Sequence, residues 1–315
     1  MSFRKHLVLI FIAVILSFNA HAGIIERNLP SISYVQYQSF DPLNPGTPLT
    51  ISGQLRVPVV ANELPDIEKK IPAVIILHGS AGVDSRGALY IQALNDAGIA
   101  TFEIDMWAAR GLPGGFNRPS LPTINVPDAF GALKYLSELP DIDVERIGIM
   151  GFSWGGVVTM LAATEDYNEL YGEQDLAFAA HVAHYPVCWA YNVGVPGMNF
   201  NNITGAPLLI QIGELDDYDE GSAPCENLIA SLPEFEQPVV SLNVYPRATH
   251  AWDRLQPAIT VYDPFSHLGD GGYVDMVPKP GKAFQSRRKA VRFFQELFGL
   301  DHKNNPRNPK GSRKN

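Results

Sequence analysis

Long apolar runs are scarce in this chain. The one that stands out, Leu7 to Phe18, is 12 residues, short of the ~20 that span a bilayer. Basic residues are few as well: 24 Lys and Arg stand against 33 Asp and Glu, a formal charge of −9. That balance argues against a nucleic-acid binder, which carries a basic face. The only cysteines, Cys188 and Cys225, lack the paired spacing and histidine partners of a zinc site; no metal is expected there, and nothing else in the chain implies an organic cofactor. A hydrophobic share of 46% with 18% charged residues excludes disordered, collagenous and coiled-coil chains. No internal repeat and no linker divides it.

The N-terminus does carry a pattern. Arg4, Lys5 and His6 precede the apolar run, and Ala20-His21-Ala22 follows it, the three parts of a secretory signal. The expected organisation is a removable segment over residues 1–22, a single domain over 23–300 and a basic, frayed tail over 301–315. The mature protein is expected in the periplasm or secreted, without a stable membrane anchor. Export permits a disulfide between Cys188 and Cys225; two buried free thiols are the alternative.

Glycine (27) and proline (25) punctuate many short elements. Residues 33–40 and 49–57 alternate and are rich in β-formers, an opening antiparallel pair. Residues 73–77 (AVIIL) read as a strand buried on both faces of a parallel sheet. Further strands are expected at 99–104, 146–150, 179–185, 207–212 and 239–245. Helical spacing is expected near 89–97 and over 127–139, 157–163 and 284–297. Strands alternating with helices predict an α/β fold with one mostly parallel, doubly wound sheet and helices on both faces. Two long loops, 111–125 and 252–282, interrupt the alternation; loops of that length are functional covers or disordered segments, and their aromatic residues favour packed covers.

Gly151-Phe152-Ser153-Trp154-Gly155-Gly156 carries the chemistry. It matches G-x-S-x-G and lies between an expected strand and an expected helix, where a sharp turn exposes a serine hydroxyl above the sheet. Ser153 is therefore the candidate nucleophile. A serine needs a base, and His250 follows a strand at the sheet end where Ser153 emerges. His78 is expected to structure its own loop; His181 and His184, three apart on a strand, face opposite sides. The base needs a carboxylate, and Gly213-Glu214-Leu215-Asp216-Asp217 ends another strand, leaving either aspartate in reach. The order nucleophile, acid, histidine is that of α/β-hydrolases. The Trp154 and Ser80 amides are the candidate oxyanion donors. Arg86, Arg110 and Trp252 are candidates for substrate contact, Arg110 having a structural pair with Asp105 as its other reading.

HGSAG at 78–82, Asp105 with Arg110-Gly111, GFSWGG at 151–156, HYPVC at 184–188, GELDD at 213–217 and His250 within ATHAWD together resemble the dienelactone hydrolase family of α/β-hydrolases. The resemblance runs from about Pro72 to Leu297. It implies Asp216 as the acid and Cys188 paired with Cys225, holding the acid loop. Two positions depart from the members that name the family: Ser153 stands where they use cysteine, and HGSAG lacks their glutamate. The resemblance thus implies ester hydrolysis in general.

The expected function is a serine hydrolase cleaving small-molecule carboxylic esters through an acyl-enzyme. A peptidase of the prolyl-oligopeptidase type and a non-catalytic binding protein on the same fold are the alternatives. Composition leaves the oligomeric state open.

Overall fold

The computed structural model describes residues 30–44, 46–58, 70–173 and 176–300. The expected signal segment and basic tail lie outside the described residues. None of the described helices is long and apolar enough to cross a membrane.

Among the described residues, eight strands form the main sheet: β1 (Ser31–Phe40), β2 (Pro48–Val57), β3 (Ile71–Leu77), β4 (Ala100–Asp105), β5 (Ile142–Phe152), β6 (Ala180–His184), β7 (Leu208–Leu215) and β8 (Val240–Thr249). Their spatial order is β1-β2-β4-β3-β5-β6-β7-β8. The opening hairpin and its junction with β4 are antiparallel, and every later pairing is parallel. The α/β-hydrolase expectation is met by this mostly parallel sheet with helices on both faces.

The apolar run in β3 shows why the sheet needs two covers. Ala73, Ile75 and Leu77 enter one buried cluster, whereas Val74 and Ile76 enter the other. Alternating side chains of a strand point to opposite faces, so a strand apolar at every position is stable only between two helical layers. On one face lie α2 (Val126–Ser137) and α3 (Trp154–Leu161), contributing Leu133, Val157 and Met160. On the other lie α1 (Ser85–Asp96) and α6 (Pro280–Leu297), contributing Tyr90, Leu94, Ala290 and Phe294. Fully burying one such large side chain contributes about 1.5–3 kcal/mol.

The strands and main helices fall where the periodicity predicts, with ends moved by a few residues. Two short helices, α4 (Glu165–Tyr171) and α5 (Ala223–Ala230), were not expected. The long stretch after Trp252 also differs from expectation. It contains a hairpin of β9 (Ile259–Asp263) and β10 (Gly272–Met276) with a register from Gly272↔Asp263 to Met276↔Ile259.

Candidate active site

The turn between β5 and α3 is built by glycines and forced on the serine. Ser153 has φ 51° and ψ −110°, a conformation that costs a non-glycine residue roughly 1–3 kcal/mol. A Cβ on Gly151 would meet the Gly155 carbonyl oxygen at 2.1 Å, and one on Gly155 would meet that of Leu77 at 2.4 Å. Close helix–strand approach therefore requires glycine at both positions. The Ser153 amide donates to the His184 carbonyl at 2.9 Å, tying the turn to β6.

Three elements bring their ends together at this turn. His250 Nε2 lies 3.0 Å from Ser153 Oγ, and His250 Nδ1 lies 2.8 Å from Asp216 Oδ2. The Tyr218 amide donates to Asp216 Oδ1 at 3.0 Å, so both carboxylate oxygens are held. Asp217 is turned elsewhere: its Oδ2 accepts the Asp275 amide at 2.7 Å and anchors the hairpin. Of the two aspartates left open by the sequence, the structure brings Asp216 to the histidine. The imidazole sits between the Tyr185 and Tyr218 rings, at centroid distances of 4.6 and 4.4 Å.

Ser80 and Trp154 both line the pocket beside Ser153. Trp154 opens α3, where amides have no acceptor within the helix. The Ser80 amide is set through its peptide plane. The Gly79 carbonyl is held by His78 Nδ1 at 2.8 Å and the Gly82 amide at 3.0 Å, and a planar trans peptide fixes the N–H opposite. Since His78 Nε2 accepts the Met106 amide at 3.0 Å, Nδ1 carries the proton. Burial holds His78 down at about 4, which keeps this neutral tautomer, and its loop-building role agrees with expectation.

All three candidate substrate contacts are corrected, since none of them lines the pocket. Arg110 lies outside the pocket wall and does not pair with Asp105. It grips Asp128 through both terminal nitrogens, at 2.7 and 3.1 Å, while Asp105 Oδ1 accepts the Trp107 and Ala108 amides. Asp128 also accepts Asn125 Nδ2 at 2.8 Å, and Asn125 Oδ1 accepts the Trp154 indole at 2.9 Å. Arg110 thus braces Trp154 from behind. Trp252 is fully buried on the opposite face, wedged between Tyr185 and Tyr245. Arg86 is buried as well, paired with Asp84 at 2.8 Å.

The pocket wall comes largely from residues the sequence did not single out. Leu121, Pro122, Val157, Trp189 and Met198 make it apolar, and Arg118, Tyr218 and Phe265 lie at it. Arg118 belongs to the first long loop and Phe265 to the second, so both do cover the site. Arg118 carried no sequence signal, because its partner Asp263 lies 145 residues away.

Cys188 and Cys225 form a disulfide with a Cα–Cα distance of 4.9 Å. Asp219 accepts the Cys188 and Trp189 amides, each at 2.8 Å, and its burial beside Asp216 pushes it up to about 8. Cys188, Asp219 and Cys225 are the described group whose donor atoms lie close enough for a metal. Sulfurs bonded to each other are not thiolates, however, and thiolate is the ligand form.

Residues 60–267 match the sequence profile of the dienelactone hydrolase family. Over 100 residues the chain is 33% identical to an uncharacterised protein of Pseudomonas aeruginosa, a stretch of 30% of this chain and 26% of that protein. The chain therefore matches only about a quarter of that relative's length. Among solved structures, dienelactone hydrolase from Anabaena variabilis aligns with a TM-score of 0.53 and 19% identity over 85% of this chain and 98% of its own. An esterase of Pyrobaculum calidifontis aligns with a TM-score of 0.54 and 14% identity, over 85% of this chain and 86% of its own. At these identities the likeness is one of fold.

Proposed function

The chain belongs to the dienelactone hydrolase family, and from that premise we propose that it is a serine hydrolase of small carboxylic esters, acting through an acyl-enzyme. One observation carries the reading: the unbroken chain of contacts Ser153–His250–Asp216 beside an apolar pocket. The esterase among its fold neighbours agrees with it.

His250 Nε2 takes the proton from Ser153 Oγ as the oxygen attacks the ester carbonyl. Asp216 accepts the Nδ1–H and stabilises the imidazolium. The carbonyl oxygen gains charge as the tetrahedral intermediate forms, and the Trp154 and Ser80 amides are the proposed donors to it. Such a donor is worth about 3–4 kcal/mol of transition-state stabilisation. His250 then returns the proton to the departing alkoxide, and a water, deprotonated by the same nitrogen, releases the acid and restores Ser153. Residues 1–22 are proposed to direct export and then be removed, and 301–315 to form a basic tail. The Cys188–Cys225 bond supports an oxidising compartment.

The test is hydrolysis of p-nitrophenyl acetate and butyrate by the wild type, Ser153→Ala and His250→Ala. Loss of activity by about 10³-fold or more in both variants is expected, together with fluorophosphonate labelling of Ser153. Wild type no faster than folded Ser153→Ala, with no labelling, would reject the reading in favour of a binding protein. Preferential turnover of a peptide p-nitroanilide would favour the peptidase.

A further inference from the structure

Among the described residues, Arg118 is the only charged side chain lining the pocket beside Ser153. Its charge is met from behind. Arg118 Nη2 donates to both oxygens of Asp263, at 3.0 and 2.7 Å, and Asp263 is itself not part of the pocket wall. The same carboxylate accepts the Tyr218 hydroxyl at 2.8 Å and the Phe265 amide at 2.9 Å. The guanidinium lies against the Trp154 and Phe265 rings, 5.6 and 5.8 Å from their centroids, and Nη1 reaches the Gly115 carbonyl at 3.2 Å. Both members of the pair are buried nearly completely, with side chains 11% and 5% exposed.

Building on the serine-hydrolase reading, we propose that Asp263 is a specificity-determining residue: by neutralising Arg118 it restricts the pocket to uncharged, apolar acyl groups. The acyl group is the half of the ester that needs the pocket, because it stays bonded to Ser153 Oγ after the alcohol has left. An alkyl chain against Val157, Trp189 and Met198 leaves no polar group unpaired. A terminal carboxylate there would lose its hydration. Arg118, the one cation in reach among the described residues, already has Nη2 committed to Asp263, and charge-assisted bonds of that kind are the strong ones. The buried carboxylate behind it would repel a second anion. Without Asp263 the same wall would present an unpaired guanidinium, whose planar donors suit a carboxylate.

The experiment compares kcat/KM for p-nitrophenyl pentanoate with that for the mono-p-nitrophenyl ester of glutaric acid, similar in length and differing in the terminal charge. Wild type should prefer pentanoate by about 30-fold or more, as expected for burying an unpaired carboxylate. Asp263→Asn should shrink that preference by at least about tenfold, since it exposes a charge-assisted partner. Adding Arg118→Gln to Asp263→Asn should restore it. Arg118→Gln alone, which leaves Asp263 uncompensated, should deepen it. Fluorophosphonate titration of Ser153 counts competent sites in each protein, and if Asp263→Asn fails to fold, Arg118→Gln alone decides. An unmoved ratio, or a shift in Asp263→Asn that survives the loss of Arg118, overturns the proposal while leaving the hydrolase reading intact. Wild type that neither labels nor turns over either ester overturns both.

Discussion

Tyr185 donates its hydroxyl to Asp253 at 2.6 Å while its ring stands edge-on to His250. Asp253 lies three residues beyond His250, is fully buried, and also accepts the Tyr90 hydroxyl at 2.8 Å. Burial raises its pKa, and the tyrosyl donors and Arg86 act against that rise. The histidine loop is thus clamped from the far face of the sheet, by a carboxylate that touches neither Ser153 nor the pocket.

Removing the Tyr185 hydroxyl therefore tests positioning apart from binding. Tyr185→Phe should lower kcat by about 3- to 10-fold at unchanged KM, because a misplaced base costs rate before affinity. It should also cost about 1–3 kcal/mol of stability through the lost donor to a buried group. Steady-state kinetics on p-nitrophenyl butyrate and urea unfolding supply the two readouts. A parallel change in KM would mean that the pocket, and not the base, had moved.

The two adjacent aspartates should separate cleanly. Asp216→Asn removes the carboxylate that holds the His250 tautomer, and a loss of about 10⁴-fold in kcat is expected. Asp217 instead ties Asp275 of the hairpin, so Asp217→Asn should stay within about threefold of wild type, as surface-loop changes away from the chemistry do. Equal losses in the two variants would contradict this division.

That division illustrates what a linear sequence can and cannot disclose. The strands, the elbow at Ser153 and the ends of β7 and β8 were legible because apolar alternation and glycine placement are local. The nucleophile, base and acid candidates follow from those strand ends, since a parallel sheet delivers its carboxyl edges to one side. Choosing Asp216 over Asp217 by geometry required the turn itself, where the Tyr218 amide fixes one carboxylate. The structural pairing expected for Arg110 falls on Asp128 and not on the nearby Asp105, because a partner on a different element leaves no local trace. The β9–β10 hairpin escaped notice because Ile259–Asp263 and Gly272–Met276 are only five residues each, too short for a clear alternation.

The disulfide joins pocket wall to acid loop. Cys188 lies between Val187 and Trp189 of the wall, and Cys225 lies on α5, beyond Asp216 and Asp219. With a sequence separation of 37, the chain-entropy account sets its contribution at about 4 kcal/mol. Cys188→Ser with Cys225→Ser should lose up to that amount in urea unfolding. It should also raise KM for p-nitrophenyl butyrate by about 3- to 10-fold, as a pre-organised wall becomes one that substrate must order. Dithiothreitol should have the same effects on wild type and none on the double variant. An unchanged KM would confine the bond to stability.

His181 offers a test of acid lability. It is fully buried on β6 with its ring edge-on to Phe178, and burial holds it down at about 4. The unfolded chain binds a proton at this residue near the ordinary value of about 6.5, which the folded protein refuses. Its contribution to stability is therefore present above pH ~6.5 and is lost as pH falls from there toward ~4, a total of about 3 kcal/mol. His181→Leu has no such proton to bind. At pH 7.5 the variant should lie within about 1.5 kcal/mol of wild type, as volume-conserving core changes usually do. Between pH 7 and 4, wild type should lose about 3 kcal/mol more than the variant. The comparison isolates His181 from Glu103, which burial raises to about 7 and which acts with the opposite sign, destabilising as pH rises. Urea midpoints across that range decide it: parallel curves would mean that His181 takes up its proton without unfolding the sheet around it.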